Sequence, residues 1–168
     1  YTAMDCSRTS LRHGASNVTI AYRRTRSELV VDEEELGETE REGVRMDFLV
    51  SPVEIIGDED GNISGVKFVR NKLGEPDATG RRRPVPIEGT EYVLPAQTVI
   101  PAVSQAADNS FLPVEATFQI SRGRMRVDPG TYATNVRGVF SCGDFVTGPT
   151  THMEAAGHVK KCAYAIDR

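Results

Sequence analysis

The stretch GVFSCGDFVTGPTTHMEAAGHVKKCAYAIDR, residues Gly138 to Arg168, decides how the rest of the chain is read. An apolar run, Val139, Phe140 and Cys142, ends on Gly143-Asp144; a Gly-Pro-Thr-Thr turn follows, then a helical pattern. The run predicts a final buried strand, GVFSCGD, with Asp144 at its carboxyl end. From Thr151 onward, Ala155, Val159, Cys162, Ala163 and Ile166 recur at i, i+4, i+7, i+8 and i+11, which predicts a packed helix. Pro149 stands ahead of that helix, and Thr150 or Thr151 can cap it. In open α/β sheets ligands bind at the carboxyl ends of the strands. An ionised aspartate accepts hydrogen bonds and donates none, so Asp144 suits a hydroxyl-bearing ligand, with Gly143 allowing close approach. An aspartate in a plain strand-end turn fits the spacing equally.

Working outward, Ala3, Met4, Ser7 and Leu11 form a stripe of small or apolar residues, and Gly14 is a suitable stop, so the chain opens on a helix. NVTIAYRR is a buried strand, rich in β-branched residues and closed by Arg23 and Arg24. SELVVDEEELGETEREG is acidic and mostly helical or loop, the pattern of a solvated face. VRMDFLVSPVEIIGDEDGNISGVKFVRNKLG predicts strands about the Asp60-Gly61 turn, an antiparallel excursion. EPDATGRRRPVPIEGTEY predicts a long loop or hairpin end, and AQTVIPAV, Ala96 to Val103, a short buried strand. Residues 104 to 118 are linker-like, and 119 to 128 predict a weak strand pair around Gly123. This order describes an α/β sheet with antiparallel additions. Parallel crossover units begin with a strand, so the helix-first order predicts a piece of a longer protein. The absent strand is followed, in dinucleotide-binding folds, by a glycine-rich turn.

Composition narrows the function classes. The 168 residues are 39% hydrophobic and 26% charged, the balance of a globular chain with a core. A net charge of −4 argues against a general nucleic-acid binder. No apolar run approaches the roughly 18 residues of a membrane span, and no secretory signal is visible. Cys6, Cys142 and Cys162 lie far apart, without metal-ligand spacing, so no metal site is expected. They point to reduced thiols in a cytoplasmic protein, filling space as small apolar groups. Nucleophile-elbow, P-loop and HExxH motifs are absent from the sequence, which leaves hydrolase and kinase readings without residues.

Two places carry chemistry. Arg23 and Arg24 stand where a dinucleotide-binding fold meets the adenosine ribose, and arginine there accommodates a 2′-phosphate. The guanidinium fork donates paired hydrogen bonds and stays charged. Two solvated arginines at a strand end is the plainer alternative. The second place is the start of the last helix, at Thr151, His152 and Met153. Unpaired amides there, with the helix dipole, favour negative charge such as the pyrimidine edge of a reduced flavin. An ordinary capped helix fits as well. His152 could relay a proton or be structural; His13 and His158 carry less weight.

Several segments together resemble a known family. The Gly138–Asp167 ending, with Thr134 ahead of it, resembles the closing flavin motif of flavoproteins with two dinucleotide-binding domains. TVIPAVSQAAD, Thr98 to Asp108, resembles their other signature strand, with Ser104 where that signature has Gly. YTAMD, VTIAYRR and GVKFVRNKLGEPDATGRRRPVPIEGTEY, in that order, resemble the glutamate synthase small (β) subunit family, and the likeness covers nearly the whole chain. It implies a Rossmann-like (FAD/NAD(P)-binding) three-layer α/β sandwich, truncated, with an antiparallel β excursion. Residues 1–103 would be the NAD(P)-binding domain without its first strand and Gly-rich turn, and 104–168 a linker and the C-terminal segment of the FAD-binding domain.

By the same resemblance Arg23 and Arg24 select NADPH, Asp144 with Gly143 holds the flavin ribityl chain, and Thr151, His152 and Met153 face the isoalloxazine. The parent protein would take hydride from NADPH onto FAD and pass electrons to a partner such as a glutamate synthase large subunit, through iron–sulfur clusters in an N-terminal part outside this chain. No side chain need act as acid or base, because the flavin carries the redox chemistry. A non-catalytic electron-delivery or interaction module, and a reductase for a different partner, are the competing expectations. A sheet edge without its first strand invites a second copy, so a homodimer through that edge is the topological expectation.

Overall fold

The computed structural model describes residues 1–77 and 80–167; Ala78 and Thr79, inside the expected long loop, and Arg168 lie outside them. The chain divides into two units, Tyr1–Ala102 and Val103–Arg168. The architecture is the expected Rossmann-like α/β one, with a parallel strand pair and an antiparallel excursion.

The first unit opens with α1, Thr2–Arg12, whose inward residues are Met4 and Ser7. The strands β1, Thr19–Tyr22, and β2, Arg45–Phe48, pair in parallel with Thr19 opposite Arg45. Parallel neighbours need a crossover, and this one carries α2, Glu33–Arg41. Leu36 and Thr39 on α2 are fully buried, which anchors the acidic stretch. Its glutamates are not merely solvated, as the charge run had implied. Glu42 takes Arg8 at 2.6 Å and Arg12 at 3.0 Å, and Glu40 takes Arg26 at 2.7 Å. These bonds hold the Glu42 and Glu40 carboxyls below the usual carboxylate range.

The excursion consists of β3 (Val50–Gly57), β4 (Ile63–Pro76), β5 (Arg82–Pro86) and β6 (Tyr92–Pro95). The long β4 pairs antiparallel with each of the other three. The Asp60-Gly61 turn forms as its sequence demands. Gly61 takes φ +82°, and Asp58 Oδ1 accepts from the backbone N–H of Asp60 and Asn62. Val50, Val66 and Phe68 form the core, with Tyr92, Leu94, Ala96 and Val99 packed on it.

Two expectations in this unit are corrected. Of the long loop or hairpin end expected for EPDATGRRRPVPIEGTEY, the hairpin forms, and RRRPVP belongs to its strand β5 rather than to a loop: Pro84 and Pro86 are tolerated because β5 lies at the edge of the sheet. AQTVIPAV is not a strand, and only Ala96, Val99 and Ala102 in it are partly buried. Ile100 is 51% and Val103 84% exposed, and beyond Ala96, whose N–H donates to the Ser64 carbonyl of β4 at 3.3 Å, no described strand pairs with the segment.

The second unit has little regular structure before its final helix. β7 (Ile120–Ser121) and β8 (Arg124–Met125) pair around Gly123, as expected. The predicted last strand, GVFSCGD, does not form. Phe140 makes one isolated bridge, to Ala133, because the chain turns tightly there: Thr134 N–H bonds the Val139 carbonyl and Ser141 N–H the Tyr132 carbonyl. Asp144 therefore starts a short helix, α3 (Asp144–Thr147), and is exposed, not buried at a strand end. α4, His152–Ile166, is present, but its inward row is Ala155, His158, Cys162 and Ala165. Val159, Ala163 and Ile166, expected inside, are exposed. Two contacts turn the helix this way: Gly143 N–H donates to His158 Nδ1 at 3.2 Å, and the Tyr132 ring meets the His158 ring edge-on at 4.9 Å.

Candidate functional site

Arg23 and Arg24 follow directly on β1, and the chain there is held through both of their carbonyls. Leu49 N–H donates to the Arg24 carbonyl at 3.0 Å, and Asn71 Nδ2 donates to the Arg23 carbonyl at 3.2 Å. Asn71 N–H in turn donates to the Leu49 carbonyl, so β2, β4 and the end of β1 are laced at one point. Leu49 sits in the left-handed region at φ +58°, which turns the chain from β2 into β3.

The two side chains differ. Arg24 is buried, and its Nε donates to the Arg82 carbonyl at 2.8 Å. Its Nη groups make no hydrogen bond among the described residues. Arg23 is exposed and makes no side-chain hydrogen bond or ion pair among them. Both line a cleft of about 440 Å³ whose other walls are Asp77, Arg83 and Pro84. Glu28, at the end of a 3-10 turn, lies close by. Burial pushes its carboxyl up, but bonds from Thr25 and the charges of Arg24 and Arg82 leave it below its usual value. The cleft is thus a concentration of positive charge at the carboxyl end of a parallel strand, where such sheets bind nucleotides. Arg83 was not among the residues picked from sequence. The GRRRP run was its only signal, and the glycine and proline around it had marked a loop.

In the second unit, Gly143 adopts φ +67°, and its N–H is taken by His158. His158 Nδ1 is therefore the acceptor of that bond. The structure brings Asp144 to the start of α4: Thr150 Oγ1 donates to Asp144 Oδ1 at 3.3 Å. Thr151 caps α4 by accepting from Glu154 N–H at 3.3 Å, while the Glu154 carboxylate takes Thr151 N–H. The amides of His152 and Met153 have no partner among the described residues, and both side chains are exposed. Asp144 can accept hydrogen bonds from hydroxyl groups, and the two unpaired helix amides can donate to a carbonyl or anionic edge. Glu154 already offsets part of the helix dipole. Among the described residues the His152 side chain makes no bond that would prepare it as a relay. Burial and the adjacent Cys142 push the Cys162 thiol up, so it is not an activated nucleophile. All three cysteines are free.

Among the described residues, no group of three or more His, Cys, Asp or Glu side chains is arranged for a metal, and no helix is long and apolar enough to cross a membrane.

Residues 1–158 match the pyridine nucleotide-disulphide oxidoreductase family. The chain is 48% identical over 167 residues to the NADP(+)-dependent formate dehydrogenase subunit beta of Moorella thermoacetica, covering 99% of this chain and 23% of that protein. It is 38% identical over 169 residues to the glutamate synthase (NADPH) small chain of Escherichia coli, covering 98% of this chain and 36% of that one. The chain thus spans about a quarter to a third of the length of these curated relatives. The crystal structure of T. acidophilum thioredoxin reductase superposes with a TM-score of 0.70 at 20% identity, over 97% of this chain and 47% of that one. That likeness establishes the fold, and the family match rests on the sequence itself. The chain belongs to the pyridine nucleotide-disulphide oxidoreductase family.

Proposed function

We propose that this chain is part of a flavin oxidoreductase that takes hydride from NADPH and passes the electrons to a partner subunit or iron–sulfur centre. The observation that carries the proposal is the Arg23–Arg24 cleft: guanidinium groups that form no salt bridge among the described residues, at the end of a parallel strand, in a cleft of about 440 Å³. A phosphate monoester carries about −1.5 to −2 charge at neutral pH, and paired arginine contacts are the strong, geometrically selective way to bind it.

In this reading Asp144, with Gly143 setting its turn, accepts hydrogen bonds from the ribityl hydroxyls of FAD, and the Thr151, His152 and Met153 backbone faces the flavin ring. FAD, when bound, supplies the conversion between two-electron and one-electron chemistry. The protein's own part is to bind, orient and discriminate: Arg23 and Arg24 hold the 2′-phosphate, His158 fixes the Gly143 turn ahead of Asp144, and no side chain transfers a proton. The higher identity to the formate dehydrogenase beta subunit than to the glutamate synthase small chain favours a dehydrogenase-type partner over a glutamate synthase large subunit. The three free cysteines support a reducing, cytoplasmic setting.

The test is Arg23→Ala and Arg24→Lys in the full-length protein, with KM measured for NADPH and NADH. Losing a charge-assisted phosphate contact costs about 1.5–3 kcal/mol, so preference for NADPH falls about 10- to 100-fold. Equal changes for both nucleotides would rule the selector role out.

A further inference from the structure

We infer that Arg83, carried on the edge strand β5 of the antiparallel excursion, is a third phosphate-binding guanidinium of the nucleotide site, so that the 2′-phosphate is held from two separate elements. The inference rests on the reading of Arg23 and Arg24 given above and extends it to a residue outside the parallel strand pair.

Three observations converge on Arg83. It lines the same cleft as Arg23 and Arg24. Its side chain makes no hydrogen bond or ion pair among the described residues, and in the first unit Arg23 alone shares that condition. Every other arginine side chain of the unit bonds a carboxylate, an amide oxygen or a backbone carbonyl. The two uncommitted guanidiniums thus face one cleft, between elements far apart in sequence. The placement is also fixed: the carbonyl that accepts from Arg24 Nε belongs to the peptide bond joining Arg82 to Arg83. Gly74, opposite, keeps β5 close, since a Cβ there would lie 3.1 Å from Val85 Cγ2 and 3.4 Å from the Arg83 carbonyl.

The charges agree with this assignment. Arg23, Arg24 and Arg83 face one carboxylate, Asp77, which accepts from Arg81 N–H at 3.2 Å. Among the lining residues guanidiniums outnumber carboxylates, the sign of charge that a phosphate monoester requires. A strand-borne guanidinium also arrives with its backbone already ordered, so less entropy is lost on binding than for a side chain on a loose loop.

The test is equilibrium titration of the full-length protein and of its Arg83→Ala, Arg83→Lys and Arg23→Ala variants with NADPH, NADH, adenosine 2′-monophosphate and adenosine 5′-monophosphate. The Arg83 side chain is exposed and makes no bond among the described residues, so Arg83→Ala is expected to keep the parent melting temperature. The expected result is that Arg83→Ala lowers the NADPH-to-NADH affinity ratio about tenfold and weakens the 2′-monophosphate in parallel, with Arg83→Lys intermediate. If Arg83→Ala keeps the parental ratio while Arg23→Ala lowers it, the role of the excursion is overturned and the Arg23–Arg24 reading stands. If neither variant moves the ratio, both fall together.

Discussion

Asn71 is where fold and site can be perturbed together. It is 4% exposed on β4, and its Nδ2 donates to Ser51 Oγ at 2.8 Å and to the Arg23 carbonyl at 3.2 Å. Asn71→Ala keeps its backbone bond to Leu49 and removes both side-chain bonds. Each is worth about 0.5–1.5 kcal/mol net, so roughly 2 kcal/mol is lost. The void left behind adds on the order of 1 kcal/mol. Against this, Asn71 Oδ1 is buried without a partner among the described residues, and deleting it recovers on the order of 1 kcal/mol. The net expectation is a loss of about 2 kcal/mol, which at a urea slope of roughly 2 kcal/mol/M moves the midpoint down by about 1 M. Ser51→Ala removes one of the two bonds and should cost about half as much. Urea unfolding followed by far-ultraviolet circular dichroism reads both. Because the Arg23 carbonyl is released only in the Asn71 variant, NADPH affinity should weaken there and not in Ser51→Ala. An Asn71→Ala loss within about 0.5 kcal/mol of zero, the scatter of an ordinary surface change, would refute the reasoning.

Two further outcomes are expected. Burial, and then the hydrogen bond from the Tyr92 hydroxyl to Asp47 Oδ2 at 2.5 Å, push the Tyr92 hydroxyl up to about 12. A group raised in the folded state contributes its full stability below the ordinary tyrosine value of about 10 and loses it as pH rises through about 12. An ultraviolet titration should therefore show a late tyrosinate step that Tyr92→Phe abolishes; no change in that variant would count against the bond. Ser104 holds φ +82°, a left-handed backbone that glycine adopts without strain. Relief of about 1–2 kcal/mol, less about 0.5–1 for the freer unfolded chain, makes Ser104→Gly stabilising by up to about 1 kcal/mol in thermal unfolding. A lowered melting temperature would contradict it.

What the sequence made legible follows from which interactions are local. The opening helix could be read because Met4 and Ser7 repeat along one face, and the excursion because Asp58, Asp60 and Gly61 build a turn from their own side chains and backbone. What stayed hidden depends on neighbours distant in the chain. AQTVIPAV has the composition of a strand, yet strand formation is decided by an adjacent backbone, which is no property of those eight residues. RRRPVP has the opposite character: its prolines are unfavourable in a central strand and acceptable on the edge position that β4 assigns to it. The face of α4 could not be chosen from periodicity, since Val159 and His158 are adjacent and only the Gly143 and Tyr132 contacts favour His158. In the site, Arg23 and Arg24 were legible because they close a β-branched run. Arg83 was not, because it reaches the cleft through strand pairing across the hairpin that begins at β4.

The central claim is tested most directly by anaerobic mixing of the full-length, flavin-loaded protein with NADPH or with NADH, following the visible flavin absorbance band. The account predicts that NADPH bleaches the band rapidly and that NADH, lacking the phosphate for the Arg23–Arg24 cleft, does so far more slowly at equal concentration. A band that NADPH leaves unchanged, or that both nucleotides bleach at the same rate, would contradict it.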